Sequence, residues 1–168
     1  MSILVDLTLL FLLICLGFSA YYIYREKHIN KTKMSFKESL DLAGIPVVTF
    51  YQGNNKFNFL LDSGASNSCI NQKELKHLIH DNTEKQASLF GMEGNSVNTG
   101  IITTKLYYKN NEFTTEMLVT DLESAFSSVK RDFGVNITGI LGSDFLSQYK
   151  YVMDFKDNVA YIKWIQVR

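Results

Sequence analysis

The chain reads Phe59-Leu60-Leu61-Asp62-Ser63-Gly64-Ala65-Ser66 in its first half. An apolar run that is typical of a strand ends at the acidic residue, and small residues follow it. A carboxylate in this position leaves the sheet and enters a tight turn, where a rigid backbone can aim it at a substrate. The pattern therefore predicts that Asp62 is a catalytic residue at the end of a strand.

The residues after Asp62 each have a physical task in this interpretation. Ser63 offers a hydroxyl that can brace the turn, and Ser66 can hydrogen-bond the backbone or the carboxylate. Gly64 has no side chain, so its backbone can approach a substrate or a partner loop closely. Ala65 is small enough to pack under the loop. We therefore predict that these four residues form the loop of an active site.

Length and composition bound the class of protein. The chain has 168 residues, enough for one modest domain plus an appendage. It carries 17 basic and 17 acidic residues, so no basic field argues for nucleic acid as a partner. Of its two cysteines, Cys15 lies in the apolar N-terminus, which leaves Cys69 without a partner in the folded domain. A disulfide framework is excluded, and a reducing compartment is favoured.

The N-terminal segment is long and apolar. Residues 3–24 carry Asp6 as their only charge, and as an α-helix they would extend about 33 Å, enough to cross a bilayer. A cleaved signal peptide is the alternative, because Gly17 and Ser19 are small enough for a cleavage site. Since no Lys or Arg precedes the run, and the run is long for a signal peptide, we favour an uncleaved transmembrane anchor.

Basic residues follow this span and none precedes it: Arg25, Lys27, Lys31, Lys33 and Lys37. The positive-inside rule therefore predicts a single-pass protein whose folded domain lies on the cytoplasmic side of the membrane. In the alternative, the basic cluster is only a solvated linker. We divide the chain into an anchor at residues 1–24, a polar juxtamembrane linker or short amphipathic helix at 25–39, and a folded domain at 40–168.

The folded domain reads as a series of short strands. Segments 45–51 and 56–61 flank the turn Gly53-Asn54-Asn55, a hairpin that delivers Asp62 to a strand end. Further strands are predicted at 87–90, 97–108, 113–120, 137–141, 151–155 and 159–165. Residues 71–79 have helical spacing, a helix is predicted at 122–131, and Ser143 or Asp144 is predicted to cap a brief helix through Tyr149. The predicted fold class is all-β with one or two short helices, arranged as a small β-barrel or a sandwich.

Two motifs together resemble a known family. Asp62-Ser63-Gly64-Ala65 is similar to the Asp-Thr/Ser-Gly-Ala loop of retropepsin-like aspartic proteases, the single-domain relatives of pepsin. Ile140-Leu141-Gly142 resembles the hydrophobic-hydrophobic-glycine element that lies behind that loop, and Ser143-Asp144-Phe145-Leu146 resembles the start of the next helix. The resemblance covers roughly residues 40–165. It implies a closed β-barrel protomer and an aspartic endopeptidase, with no metal and no organic cofactor.

The mechanism of such enzymes needs two carboxylates that face one water and share a proton. The chain has one Asp-Ser-Gly. Asp132 is followed by Phe133, the wrong residue, and Asp144 comes after the apolar run and not before a turn. The second carboxylate should therefore be Asp62 of another copy, placed by a two-fold axis. We expect a homodimer that acts on an extended polypeptide segment.

The resemblance also implies a flap that closes over the substrate. Spacing alone places it at residues 90–97, with Gly91, Met92, Glu93 and Gly94 at its tip. Glycines suit a mobile hairpin, and a closed flap would exclude water and add main-chain hydrogen bonds to the substrate. An ordinary surface turn is the alternative, because turns that carry glycine are common.

Two other functions remain open. The domain could be a catalytically silent retropepsin-like module that binds peptides or dimerises at the membrane. It could also be an anchored β-domain of structural use, with Asp62 as a turn-forming residue. A metal site is not predicted: His77 and His80 have one possible ligand spacing, but no clear further ligand is nearby.

Overall fold

The computed structural model describes residues 2–90 and 96–162. Its helices are α1 Ser2–Thr32, α2 Lys37–Ala43, α3 Glu123–Phe133 and α4 Ser143–Gln148, with a 3₁₀ helix at Gln72–His77. Its strands are β1 Met34–Ser35, β2 Val47–Gln52, β3 Asn55–Leu61, β4 Cys69–Asn71, β5 His80–Phe90, β6 Ser96–Tyr108, β7 Asn111–Thr120, β8 Gly139–Leu141, β9 Tyr151–Asp154 and β10 Val159–Ile162.

Six strands close into a barrel in the order β2-β3-β8-β4-β7-β6, and β5 extends the sheet beyond β6. The closing contact pairs Tyr51 of β2 with Tyr107 of β6. Of the two predicted arrangements the barrel is therefore the one that forms. The predicted fold class, β-rich with short helices and an apolar N-terminal helix, is confirmed.

The barrel is filled by alternating apolar residues. In β3, Phe57, Phe59 and Leu61 are buried while the residues between them are half-buried. Phe50 of β2 lies at the centre of an aromatic cluster, with its ring edge-on to Phe59 at 5.8 Å between centroids. Such pairs stabilise a core beyond the area they bury. This packing fixes which face of β3 points inward.

Two parallel strand pairs interrupt the antiparallel pattern. β3 pairs with β8 in parallel, with Leu61 opposite Leu141, and β4 pairs with β7 in parallel, with Cys69 opposite Leu118. Because β3 and β8 run in the same direction, their carboxyl ends meet at one edge of the barrel. The residues that follow Leu61 and Leu141 are therefore neighbours.

The core extends into the segment that we predicted as a linker. The helix α1 continues to Thr32, after which Met34 pairs with Ala160 of β10. Met34 and Phe36 are 0% and 1% exposed, and both belong to the main core cluster. Met34, an apolar residue in an otherwise polar segment, is thus buried because its strand pairs with β10, which lies far along the chain. The division of the chain at residue 40 stays a prediction.

Other element boundaries differ from expectation for local reasons. The predicted helix at 71–79 is a shorter 3₁₀ helix, because Leu78 is extended and buried in the core. β5 begins at His80 and not at residue 87. A register shift between Asn82 and Gln86 breaks the alternation that would have marked this polar strand. Gly134 ends α3 in the left-handed region at φ 70°, which accounts for the glycine after Asp132-Phe133.

Candidate active site

Asp62 occupies the first position after β3 and is held by the backbone around it. Its N–H donates to the Leu141 carbonyl at 3.0 Å, and the Ala65 N–H donates to its carbonyl at 3.2 Å. The Gly64 N–H donates to Oδ1 of the carboxylate at 2.8 Å. Among the described residues, Oδ2 accepts no hydrogen bond. One oxygen of the half-buried carboxylate is therefore fixed, and the other is available to a substrate or a second protein.

The space around Gly64 explains the glycine at this position. A Cβ built on its backbone would lie 3.1 Å from Oδ1 of Asp62, closer than ordinary van der Waals contact. A side chain there would push against the carboxylate that the Gly64 N–H now holds. A Cβ at this position would therefore require the Asp62 carboxylate oxygen to shift by a few tenths of an ångström.

Gly142 lies directly against the loop. A Cβ at this residue would come within 2.7 Å of the Ala65 carbonyl oxygen and 2.9 Å of the Asn67 carbonyl group. The next N–H, from Ser143, donates to the same Ala65 oxygen at 2.8 Å. Leu141 is completely buried, and Ile140 is half-buried beside Cys69. The segment Ile140-Leu141-Gly142 therefore packs against the loop through backbone contacts, and its role as a support stays a prediction.

A second support comes from Ser68 and Asp144, which sequence reasoning did not assign to the site. The Ser68 N–H and hydroxyl donate to Oδ2 and Oδ1 of Asp144, each at 2.7 Å. The Ser68 oxygen in turn accepts the Gly142 N–H at 3.0 Å. Ser68 is 1% exposed. This network, buried at Ser68 and Gly142 and exposed at Asp144, joins the end of the loop to the glycine element and to α4.

The sequence offered one signal for this network, and we interpreted it differently. We expected Ser143 or Asp144 to cap α4. Gly142 is the residue before the helix, and it makes no side-chain cap. Asp144 does accept the Phe145 N–H at 2.7 Å, but both of its oxygens also bind Ser68. An acid directly after the glycine element was the available clue.

The family model described as retroviral aspartyl protease matches residues 43–154. The chain belongs to this family. The matched range contains both the Asp62 loop and the Gly142 element, together with Ser68 and Asp144. None of the curated protein sequences compared with the chain matches it.

Several solved structures are similar to this chain of the retroviral aspartyl protease family. The EIAV protease complexed with the inhibitor HBY-793 is 24% identical, over 64% of this chain and 90% of that one, with a TM-score of 0.47. A retropepsin-like aspartic protease from Rickettsia conorii is 19% identical, over 77% and 87%, also at 0.47. The retroviral protease-like domain of Ddi1 from Leishmania major is 15% identical, over 73% and 95%, at 0.42.

The other predicted site residues take different positions. Ser63 is exposed, and its hydroxyl makes no hydrogen bond within the described residues. Ala65 is half-buried, and its carbonyl oxygen lies close to Gly142. Ser66 is exposed, and its backbone carbonyl, not its hydroxyl, accepts a hydrogen bond from Ser143 at 3.4 Å. Of the four loop residues, Gly64 and Ala65 therefore have the clearest structural tasks.

The predicted flap tip, Gly91, Met92, Glu93 and Gly94, lies outside the described residues. The strands on either side of it, β5 and β6, are paired up to Phe90 and Ser96. The flap itself therefore stays a prediction.

Cys69 lies just beyond the loop and is 6% exposed. Its burial raises the pKa of the thiol to about 11, so the thiol is protonated at neutral pH. It is a small packing residue and not a nucleophile. The described residues contain no cluster of His, Cys, Asp and Glu that could hold a metal ion.

Proposed function

We propose that the chain is an aspartic endopeptidase that hydrolyses peptide bonds with Asp62 as its catalytic carboxylate. The observation that carries this proposal is the attachment of the Asp62 loop. Asp62 is fixed through one carboxylate oxygen and its own N–H, while the other oxygen is unengaged among the described residues. Membership of the retroviral aspartyl protease family supports the same assignment.

The second carboxylate comes from Asp62 of a second copy. Asp144 does not qualify, because Ser68 occupies both of its oxygens and Phe145 adds a third hydrogen bond. In a two-fold dimer the two Asp62 carboxylates lie about 3 Å apart and share one proton. The ionised carboxylate takes a proton from water while the water oxygen bonds to the peptide carbonyl carbon. The protonated one donates to the carbonyl oxygen, and the amine leaves with a proton from the pair.

The membrane is the proposed location. The segment Asp6–Tyr24 has 19 residues, a mean hydropathy of 2.0 and no burial in the structure. Phe11 and Phe18 are 67% and 71% exposed, although side chains of this size are normally buried in soluble proteins. We propose a single-pass anchor with the domain on the cytoplasmic side, because the basic residues follow the span. Confinement to a membrane raises the effective concentration of protomers and favours the dimer.

The test uses the full chain in detergent micelles with an unselective peptide library read by mass spectrometry. We expect Asp62→Asn to abolish cleavage. Asp81→Asn is the matched control, because Asp81 is an exposed acid on β5 with no hydrogen bond from its side chain among the described residues. Cleavage by the Asp62→Asn protein at the wild-type rate would remove Asp62 from the mechanism.

Mixed dimers test the shared site directly. When wild type and Asp62→Asn are unfolded together and refolded in equal amounts, random pairing leaves a quarter of the dimers with both carboxylates. Activity should then fall to about one quarter, whereas a site contained in one protomer would retain one half. A stable dimer with no cleavage of any peptide would support the silent binding module instead.

A further inference from the structure

The helix α1 is joined to the barrel without a flexible linker. Only Lys33 separates the end of α1 at Thr32 from the start of β1 at Met34. Thr32 is 6% exposed and Met34 is completely buried. The end of the helix is therefore part of the packed domain.

Three donors of the domain bind the carbonyls at this helix end. Asn111 Nδ2 donates to the Lys31 carbonyl at 2.8 Å, and the Tyr151 hydroxyl donates to the Thr32 carbonyl at 3.0 Å. A third donor, Lys109 Nζ, binds the Lys33 carbonyl at 3.1 Å. The last carbonyls of a helix point along its axis, beyond its end. The donors therefore lie ahead of the helix, and the domain sits on its end.

The strand β7 connects this attachment to the catalytic loop. Asn111, its first residue, binds the helix end. Leu118, near its other end, donates its N–H to the Ser68 carbonyl at 2.9 Å. A strand rises about 3.4 Å per residue, so these two points are about 24 Å apart before twist and curvature shorten the distance. The anchor and the active-site loop therefore lie at opposite ends of one strand.

The helix also raises the domain above the bilayer. It continues for eight residues beyond Tyr24, the end of the apolar span, which adds about 12 Å. The span itself is uncovered: Leu9 and Phe11 are 59% and 67% exposed. The domain therefore does not fold back along the segment that would lie in the membrane.

From these contacts we propose that β7 rises from the end of α1 away from the membrane and so holds the catalytic loop at the remote end of the domain, about 30 Å above the membrane surface. The proposed enzyme then acts on extended polypeptide segments that stand clear of the bilayer. Peptide bonds within or next to the membrane lie out of its reach. This inference rests on the proposed function, in which α1 is a membrane anchor and Asp62 is catalytic.

Fluorescence energy transfer to headgroup-labelled lipids measures the height of each end. The full chain with Cys15→Ala is placed in vesicles and carries one donor dye, at Asn110→Cys or at Ser124→Cys. Both positions are exposed, and Cys69 is too buried to react. Asn110 lies in the turn before Asn111, whereas Ser124 follows the far end of β7. We expect the Ser124 dye to lie about 15–20 Å farther from the lipid plane. Equal heights within about 5 Å would overturn the inference.

The second part of the experiment removes hydrogen bonds to the end of α1 and measures the dye heights again. Asn111→Ala combined with Tyr151→Phe removes two donors to the helix carbonyls, so the difference in height should shrink as the domain tilts. Asn82→Ala is the control, since Asn82 is exposed on β5 with no hydrogen bond from its side chain among the described residues. A height difference that the double variant leaves unchanged would show that these contacts do not set the orientation.

A cleavage assay tests the substrate class. A peptide that the micelle assay shows to be cleaved is attached to a lipid through two or ten prolines, which extend about 6 and 31 Å. We expect at least tenfold faster cleavage with the longer spacer, and equal rates would contradict the inference. The failures are distinguishable. Loss of cleavage in every format refutes the proposed protease, and failure to float with vesicles refutes the anchor and this inference with it.

Discussion

The substitution Gly142→Ala tests how closely the glycine element supports the catalytic loop. The new Cβ would lie 2.7 Å from the Ala65 carbonyl oxygen and 2.9 Å from the carbon and oxygen of the Asn67 carbonyl. Ordinary contacts of this kind begin near 3.4 Å. The obstructing atoms belong to the backbone and cannot rotate away. The segment that follows Asp62 must therefore move by about half an ångström or more.

The expected loss follows from this displacement. An overpacked core position destabilises a protein by about 1–3 kcal/mol. Two hydrogen bonds would also stretch, from Gly142 N–H to Ser68 Oγ and from Ser143 N–H to the Ala65 carbonyl. We expect the free energy of unfolding to fall by about 2–3 kcal/mol. If Asp62 is catalytic, cleavage should fall by about 10²-fold, since misplacement of about 1 Å can have that effect.

Urea unfolding of the full chain in micelles and cleavage of one library peptide measure the two effects. Gly100→Ala is the matched control, because a Cβ on Gly100 of β6 meets no atom within 4 Å and its backbone is not left-handed. It should change the free energy of unfolding by less than about 1 kcal/mol. If both glycine variants unfolded at the same urea concentration and cleaved at the same rate, the proposed support of the loop would be refuted.

Three further outcomes are expected. Asp144→Ala should lower the free energy of unfolding by about 2–4 kcal/mol in urea titrations, because two buried donors of Ser68 lose their acceptor; an unchanged midpoint would contradict the network. Burial raises the pKa of the Cys69 thiol from 9.0 to about 11, so its contribution to stability is complete below pH 9 and is lost as pH rises through 11. The difference in unfolding free energy between wild type and Cys69→Ala should therefore shift against wild type across that window, and a constant difference would refute it. Gly134→Ala should destabilise by about 1 kcal/mol at its φ of 70° without a change in cleavage, and reduced cleavage by the folded variant would be unexpected.

The sequence was sufficient to predict those features that depend on residues adjacent in the chain. A strand end and a tight turn are both determined by adjacent residues. The apolar run before Asp62 and the small residues after it could therefore be interpreted from the sequence. Hairpin turns such as the one at Gly53 identified several strands, and the number of strands in a short domain predicted a barrel or a sandwich. Membership of the family supports the same interpretation. The catalytic role of Asp62 remains a proposal.

The sequence was insufficient where partners are far apart in the chain. Ser68 and Asp144 are separated by 76 positions, and neither belongs to a pattern that predicts a hydrogen bond between them. Met34 likewise lies in a polar segment, and its burial depends on pairing with β10. β5 was predicted too short because its first half is polar and contains a register shift. Each case depends on tertiary pairing, which local propensity does not report.

The Asp62 loop is held by several hydrogen bonds, and the proposed dimer requires each protomer to hold this loop in a fixed position. In the proposed site two identical carboxylates must come within about 3 Å of each other, although their charges repel. A loop that could shift by 1 Å would relieve this repulsion by moving away. The Asp62 loop is instead hydrogen-bonded directly to Leu141 and Ser143, and Gly142 and Asp144 both bind Ser68 just beyond it. These contacts all lie behind the loop and leave Oδ2 of Asp62 unbound among the described residues. The protomer thus supplies a rigid half-site, and the proposed protease activity requires the other half from a second copy.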